Sequence, residues 1–154
     1  MEDISRLIAG LHAATVKTRQ DAAVRLGKSC NLRAIGPLAM AIADPHPGVR
    51  VEAVRALGRL RDSSAVPELI RALDDDDPRV RAAAVAALGI IKDPASVEPL
   101  ILCLKDTALE VRIGAAMVLG KIGDRRALGP LRVLKDDPFI DVREAASEAA
   151  RRLR

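Results

Sequence analysis

The apolar positions of this chain repeat with a helical period nested inside a longer one. Val49, Ala53, Val54, Leu57 and Leu60 follow i, i+4, i+5, i+8, i+11, one stripe of an amphipathic helix. Val66, Leu69, Ile70 and Leu73 follow i, i+3, i+4, i+7, the stripe of a second. Both patterns return every 31 residues. Val49-Arg50, Val80-Arg81, Val111-Arg112 and Val142-Arg143 recur at that interval, with Thr18-Arg19 one period earlier. So do Gly27, Gly58, Gly89 and Gly120, the polar residues Asn31, Asp62, Asp93 and Asp124, and the leucines Leu38, Leu69, Leu100 and Leu131. Four registers at one spacing define an internal repeat. Each unit predicts an antiparallel pair, helix A then helix B, and neither helix can bury its stripe alone. Stacked neighbours must share a continuous core, so the expected fold is all-α, an α-solenoid.

The chain of 154 residues is just under five such periods. The pattern divides it into an N-terminal helix in 1–13, full repeats in 14–43, 44–74, 75–105 and 106–136, and a C-terminal helix in 137–154, all in a single domain. Punctuation marks the joints. Asp77-Pro78 and Asp137-Pro138 place an acceptor at the N-cap and proline at the first helical position of helices A, and Thr107 with Glu110 has capping-box spacing. Asp93-Pro94 does the same for one helix B, with Asn31, Asp62 and Asp124 in the equivalent turn. Leu104 to Val111 is seven residues but Leu134 to Val142 is eight, which predicts one extra residue in the last loop. Glycine in the last turn of helix A costs about 1 kcal/mol against alanine, and its recurrence points to close helix approach.

Composition narrows the classes. Apolar residues are 49% and charged residues 30%, too greasy for disorder and too charged for a membrane protein. Uncharged runs such as Ile35 to Ala43 and Ala82 to Ile91 fall short of the roughly 20 residues that span a bilayer. The start Met1-Glu2-Asp3-Ile4-Ser5-Arg6 lacks a secretory pattern, so the expectation is a cytoplasmic protein without membrane contact. The net charge of +4 lies in residues 78–154, with 14 basic and 10 acidic side chains against 11 and 11 before them. Three of these cations, Arg151, Arg152 and Arg154, complement the negative end of a terminal helix, which weakens the basic pI as a sign of nucleic acid.

The motif Asp-Pro-x-x-x-Val-Arg, then Ala-x-x-x-Leu-Gly-x-Leu/Ile, then Asp-x-x-Ala-Val-x-Pro-Leu-Ile resembles the short HEAT-type unit called the PBS lyase HEAT-like repeat. It is also similar to the artificial αRep scaffolds built on that unit. The match is clearest in Asp75 to Asp106 and in Asp106 to Leu134, and faintest before Ala22, where Ala13 replaces the usual aspartate. The resemblance implies a right-handed α-solenoid of HEAT-like antiparallel helix pairs in which helix B lines a concave surface. It also implies a possible tie to bilin lyases, which attach open-chain tetrapyrroles to phycobiliproteins or remove them.

The arginines Arg19, Arg50, Arg81, Arg112 and Arg143 form a ladder, with Asp44, Asp75, Asp106 and Asp137 at matching spacing. One reading is a phosphate-tracking stripe. The favoured reading is structural: each guanidinium holds the carboxylates and carbonyls of the loop before helix A. The run Asp74 to Asp77 lacks the glycine and distal glutamate of an EF-hand and reads as helix capping. His12 and His46 are not followed by glutamate, so the His-Glu pairs of iron hydroxylases built from HEAT repeats are absent. His46 is expected in a solvated turn. Cys103 reads as a small buried hydrophobe and Cys30 as more exposed; no metal, cofactor or catalytic set is indicated.

The most informative departure lies two residues after each repeated leucine. Met40, Arg71, Leu102 and Val133 stand there, three of four apolar where the family favours lysine, flanked by Glu68, Glu98, Lys105 and Arg132. With successive units about 10 Å apart, the column would run some 30 Å. Either it is a partner-binding groove or concavity and neighbouring stems bury it. The leading expectation is a non-enzymatic scaffold that grips another protein or peptide on helix B. Bilin lyase-like activity is one alternative and nucleic-acid binding along the ladder a second, less favoured one. Self-association is also open, because Ile4, Leu7, Ile8 and Leu11 face a missing neighbour on one side.

Overall fold

The computed structural model describes residues 3–153; Met1, Glu2 and Arg154, the last counted above in the basic terminal cluster, lie outside the described residues. Two compact units divide the chain, 1–91 and 92–154. The first contains α1 (Ile4–Gly10), α2 (Val16–Lys28), α3 (Ile35–Ala41), α4 (Pro47–Leu60), α5 (Val66–Arg71) and α6 (Pro78–Ile91). The second contains α7 (Val97–Cys103), α8 (Leu109–Ile122), α9 (Leu128–Val133) and α10 (Ile140–Arg152). No strand occurs among the described residues.

Long and short helices alternate. Within the first unit α4 packs between α2 and α6, with α3 laid on α4 and α5 on α6. Within the second, α8 packs on α10, α7 on α8 and α9 on α10. Each unit is therefore an α-solenoid stack of helix pairs. Its core is the predicted stripe: Val49, Val54, Leu57 and Leu69 are sealed in the first unit, Leu100, Leu119 and Leu131 in the second. In the first helix Leu7 and Leu11 are buried, while Ile4 and Ile8 remain half-buried.

The glycine register is where the long helices touch. A Cβ on Gly27 would lie 2.7 Å from Ala56 Cα, one on Gly58 2.9 Å from Ala87 Cα, and one on Gly120 2.9 Å from Ala149 Cα. Backbone, not a yielding side chain, fills that space. The ends of helices A carry a second register that most of the residue types there do not announce. Cys30, Arg61, Lys92 and Gly123 all have positive φ, between 53° and 82°. Only Gly123 carries the residue type that announces such a turn.

Each helix B is entered through a 3-10 turn. Its cap is the predicted polar residue: Asn31, Asp62, Asp93 and Asp124 accept the N–H two residues on, at 2.8–3.0 Å. Asp77 caps α6 by accepting the Arg79 N–H at 2.8 Å. The other helix A starts differ from expectation. His46 is exposed, but it is the N-cap of α4, its Nδ1 accepting the Gly48 N–H at 3.1 Å. Thr107 and Glu110 form no capping box: Ala108 is the N-cap of α8 and makes no side-chain cap, while Asp106 accepts the Ala108 N–H at 2.8 Å. Asp137 does not cap α10, whose N-cap is Phe139. Asp137 instead accepts the Phe139 N–H at 3.0 Å, as Asp75 accepts that of Asp77 at 2.9 Å. The last loop consequently has no extra residue. Leu134 takes the place of Ala72 and Cys103, Lys135 that of Leu73 and Leu104, and the period stays at 31.

Candidate functional site

Two recurring sets of side chains project from these pairs. The first is the arginine ladder at the start of helices A. Arg19 grips Asp44 with two hydrogen bonds of 2.7 and 3.1 Å and donates to the carbonyl of Ala13 at 3.0 Å. Arg50 does the same with Asp75 at 2.8 Å twice, reaches Asp76 at 2.8 Å and donates to the Asp44 carbonyl at 3.1 Å. Arg112 grips Asp137 at 2.9 and 3.3 Å, donates to the Asp106 carbonyl at 2.7 Å, and lies 5.7 Å from the Phe139 ring centre. Arg81 and Arg143 bond the carbonyls of Asp75 and Asp137 at 2.9 and 2.8 Å. The planar fork suits this task, because one cation spans a carboxylate of the next loop and carbonyls of its own.

Burial pushes the carboxyls of Asp44, Asp75 and Asp137 up, but hydrogen bonds from a guanidinium and from a backbone N–H outweigh it. All three are held below the usual carboxylate range. Asp77, bonded by the Arg79 side chain and then by its N–H, falls to about 2.

The second set is the outer face of the short helices. In the first unit Met40 is 71% exposed, and Arg71 is exposed and paired with half-buried Glu68 at 3.0 Å. In the second unit Leu102 and Val133 occupy the same register on α7 and α9 and are 72% and 70% exposed. Neighbouring stems do not cover them. Around these two lie exposed Glu98, Lys105 and Arg132. Glu98 bonds Arg126 at 3.1 Å, and Arg126 also bonds Asp124 at 2.8 Å. Arg126 was not among the expected rim residues; it sits in the turn before α9, where the helical stripe gives no cue. Cys103 is buried and Cys30 exposed. Among the described residues there is no group of three His, Cys, Asp or Glu side chains able to hold a metal, and no helix long and apolar enough to cross a membrane.

A family model for HEAT repeats matches residues 4–89, 34–108 and 66–151 in overlapping passes. The chain belongs to the HEAT-repeat family. This HEAT-repeat protein is similar to a chain in the structure of the CpcE and CpcF complex of phycocyanin lyase from Nostoc sp. PCC7120, at 28% identity and a TM-score of 0.86. The alignment covers 99% of this chain but 65% of that one, so the sequence spans about two thirds of that neighbour's length. Two more distant likenesses show the fold alone. A designed armadillo repeat protein in complex with the peptide (KR)4 is 21% identical, TM-score 0.75, covering 98% of this chain and 82% of that one. Human deoxyhypusine hydroxylase is 23% identical, TM-score 0.71, covering 97% and 62%. No curated protein sequence matches.

Proposed function

We propose that this HEAT-repeat protein is a non-catalytic scaffold that binds a partner protein or peptide through the solvent-exposed side of its short helices, the helix-B face that the resemblance makes concave. The carrying observation is the pair Leu102 and Val133, 72% and 70% exposed at one register, within a rim of Glu98, Arg126, Lys105 and Arg132. An apolar centre ringed by charge is the composition of a binding patch: burying the centre supplies the driving force and the rim supplies the selectivity. Met40, one repeat before Arg71 in the same register, extends the same chemistry to the first unit.

The likeness to a chain of the CpcE and CpcF complex favours a second reading, a subunit or accessory of a bilin lyase whose partner is another protein chain. Phe139 is the one aromatic in the sequence, which leaves little surface for stacking a tetrapyrrole. Nucleic-acid tracking along the ladder is weaker still, since Arg19, Arg50 and Arg112 are engaged with carboxylates and their side chains are only 9–14% exposed.

The test compares the protein with a variant carrying Leu102→Asp and Val133→Asp, each used as bait in native cell extract and read by mass spectrometry. Proteins recovered by the first and lost by the second, at equal helical CD, support the assignment. Equal recovery removes it. An absorbance shift on mixing with an open-chain tetrapyrrole would move the balance to the second reading.

A further inference from the structure

The unit 92–154 contains two successive copies of one surface, 31 residues apart, and the copies differ in kind. In the first copy Leu100, Leu104, Ala116 and Leu119 are buried, and Gly120 lies against Ala149 of α10. In the second copy Leu131, Ala146 and Ala150 keep a buried apolar floor. Around it Ile101 has become Arg132, Leu104 has become Lys135, Ala116 has become Ser147 and Gly120 has become Arg151, and all four newcomers are exposed. Together they line a cavity of about 430 Å³, within the usual range for a ligand or anchor site.

Charge and shape restrict what fits. Among the described residues Arg132 and Lys135 make no ion pair, and Arg151 shares the single carboxylate of Glu148 with Arg152 at 2.6 and 3.3 Å. The rim is therefore cationic. A helix laid on α10 in the register of Gly27, Gly58 and Gly120 would meet the Arg151 side chain where those contacts have glycine. That register requires glycine, with the neighbouring backbone 2.7–2.9 Å from the would-be Cβ, and Arg151 fills the space. A second copy of this chain is disfavoured too. The comparable cavity in the unit 1–91, lined by Arg6, Thr18 and Asp21 around Leu7, has one carboxylate, and that one is tied to Lys17 at 2.9 Å.

We propose that this notch binds an acidic amphipathic segment of a partner protein. Its apolar side chains rest on Leu131, Ala146 and Ala150. Its carboxylates meet Arg132, Lys135 and Arg151, and the Ser147 hydroxyl donates to one of them.

A fluorescein-labelled peptide of alternating leucine and glutamate clusters, titrated into the full chain and read by anisotropy, tests this. Lys135→Glu with Arg151→Glu should weaken binding about tenfold, and Lys135→Gln alone about threefold, at unchanged CD. Raising sodium chloride from about 50 to about 500 mM should weaken the native protein's binding more than the double variant's. A Leu102→Ser, Val133→Ser variant, which removes the apolar face without adding charge beside Arg132, should bind the peptide normally, which separates this site from the face proposed above. Equal affinity of the charge-reversed protein overturns the proposal, as does loss of binding in the Leu102/Val133 variant. Displacement of the peptide by millimolar inorganic phosphate would also overturn it, leaving a simple anion site.

Discussion

Replacing Arg112 by alanine should be among the most damaging single changes available in the second unit. Its side chain is 9% exposed and that of its partner Asp137 6%. The substitution deletes a two-point contact with Asp137, donors to the carbonyls of Asp106 and Thr107, and the cation over Phe139. Removing one member of a buried, hydrogen-bonded ion pair costs about 3–5 kcal/mol, because the other charge stays behind without its counter-ion. The ring contact contributes about 0.5–1 kcal/mol of that order. For a chain of this length such a loss lowers Tm by roughly 6–20 °C. The internal control is Arg71→Ala, which breaks an exposed pair and should cost below about 1 kcal/mol. Arg112→Lys keeps the charge without the fork and should fall between the two. Urea titrations followed by far-UV CD read all three. Equal losses for Arg112→Ala and Arg71→Ala would refute the claim that the ladder is structural.

Gly58→Ala should destabilise by up to about 2 kcal/mol in the same assay. The new Cβ meets Ala87 backbone at 2.9 Å, and overpacking of about 1–3 kcal/mol exceeds the helix-propensity gain of about 1 kcal/mol. Gly36→Ala, with nothing within 4 Å, should be neutral or slightly stabilising; the opposite order would sink the close-approach argument. On the acid side, Asp44, Asp75, Asp77 and Asp137 have folded pKa values below their ordinary ones, so their contribution is complete above the ordinary carboxylate range and is lost as pH falls through the folded values. Tm should therefore hold steady from about pH 7 to about 5 and drop from there toward about 2; a flat curve to pH 2 contradicts it.

Much of this fold could be read before any coordinates, because a repeat states its packing several times over. The buried leucines Leu38, Leu69, Leu100 and Leu131, the glycine contacts and the polar caps of the short helices each recur in one register, so every copy corroborates the others. What escaped notice was carried by backbone. Cys30, Arg61 and Lys92 adopt positive φ where their residue types give no warning. The supposed insertion after Leu134 arose from matching apolar letters, whereas the aspartate spacing of 25 from Arg112 to Asp137, shared with Arg50 and Asp75, is what holds the register. The outer face was legible as chemistry at Met40, Leu102 and Val133, since a residue two positions beyond a sealed leucine points away from it. The polar relining at Lys135, Ser147 and Arg151 becomes informative only once the shape beneath it is known.

The ionic staples Arg19–Asp44, Arg50–Asp75 and Arg112–Asp137 each close a loop of the same short length, 25 residues. Chains dominated by such local closures have low contact order and fold fast, and closure entropy rises only slowly with loop size. A growing polypeptide can thus fasten each staple as soon as the following turn leaves the ribosome, without waiting for a distant strand or terminus to arrive.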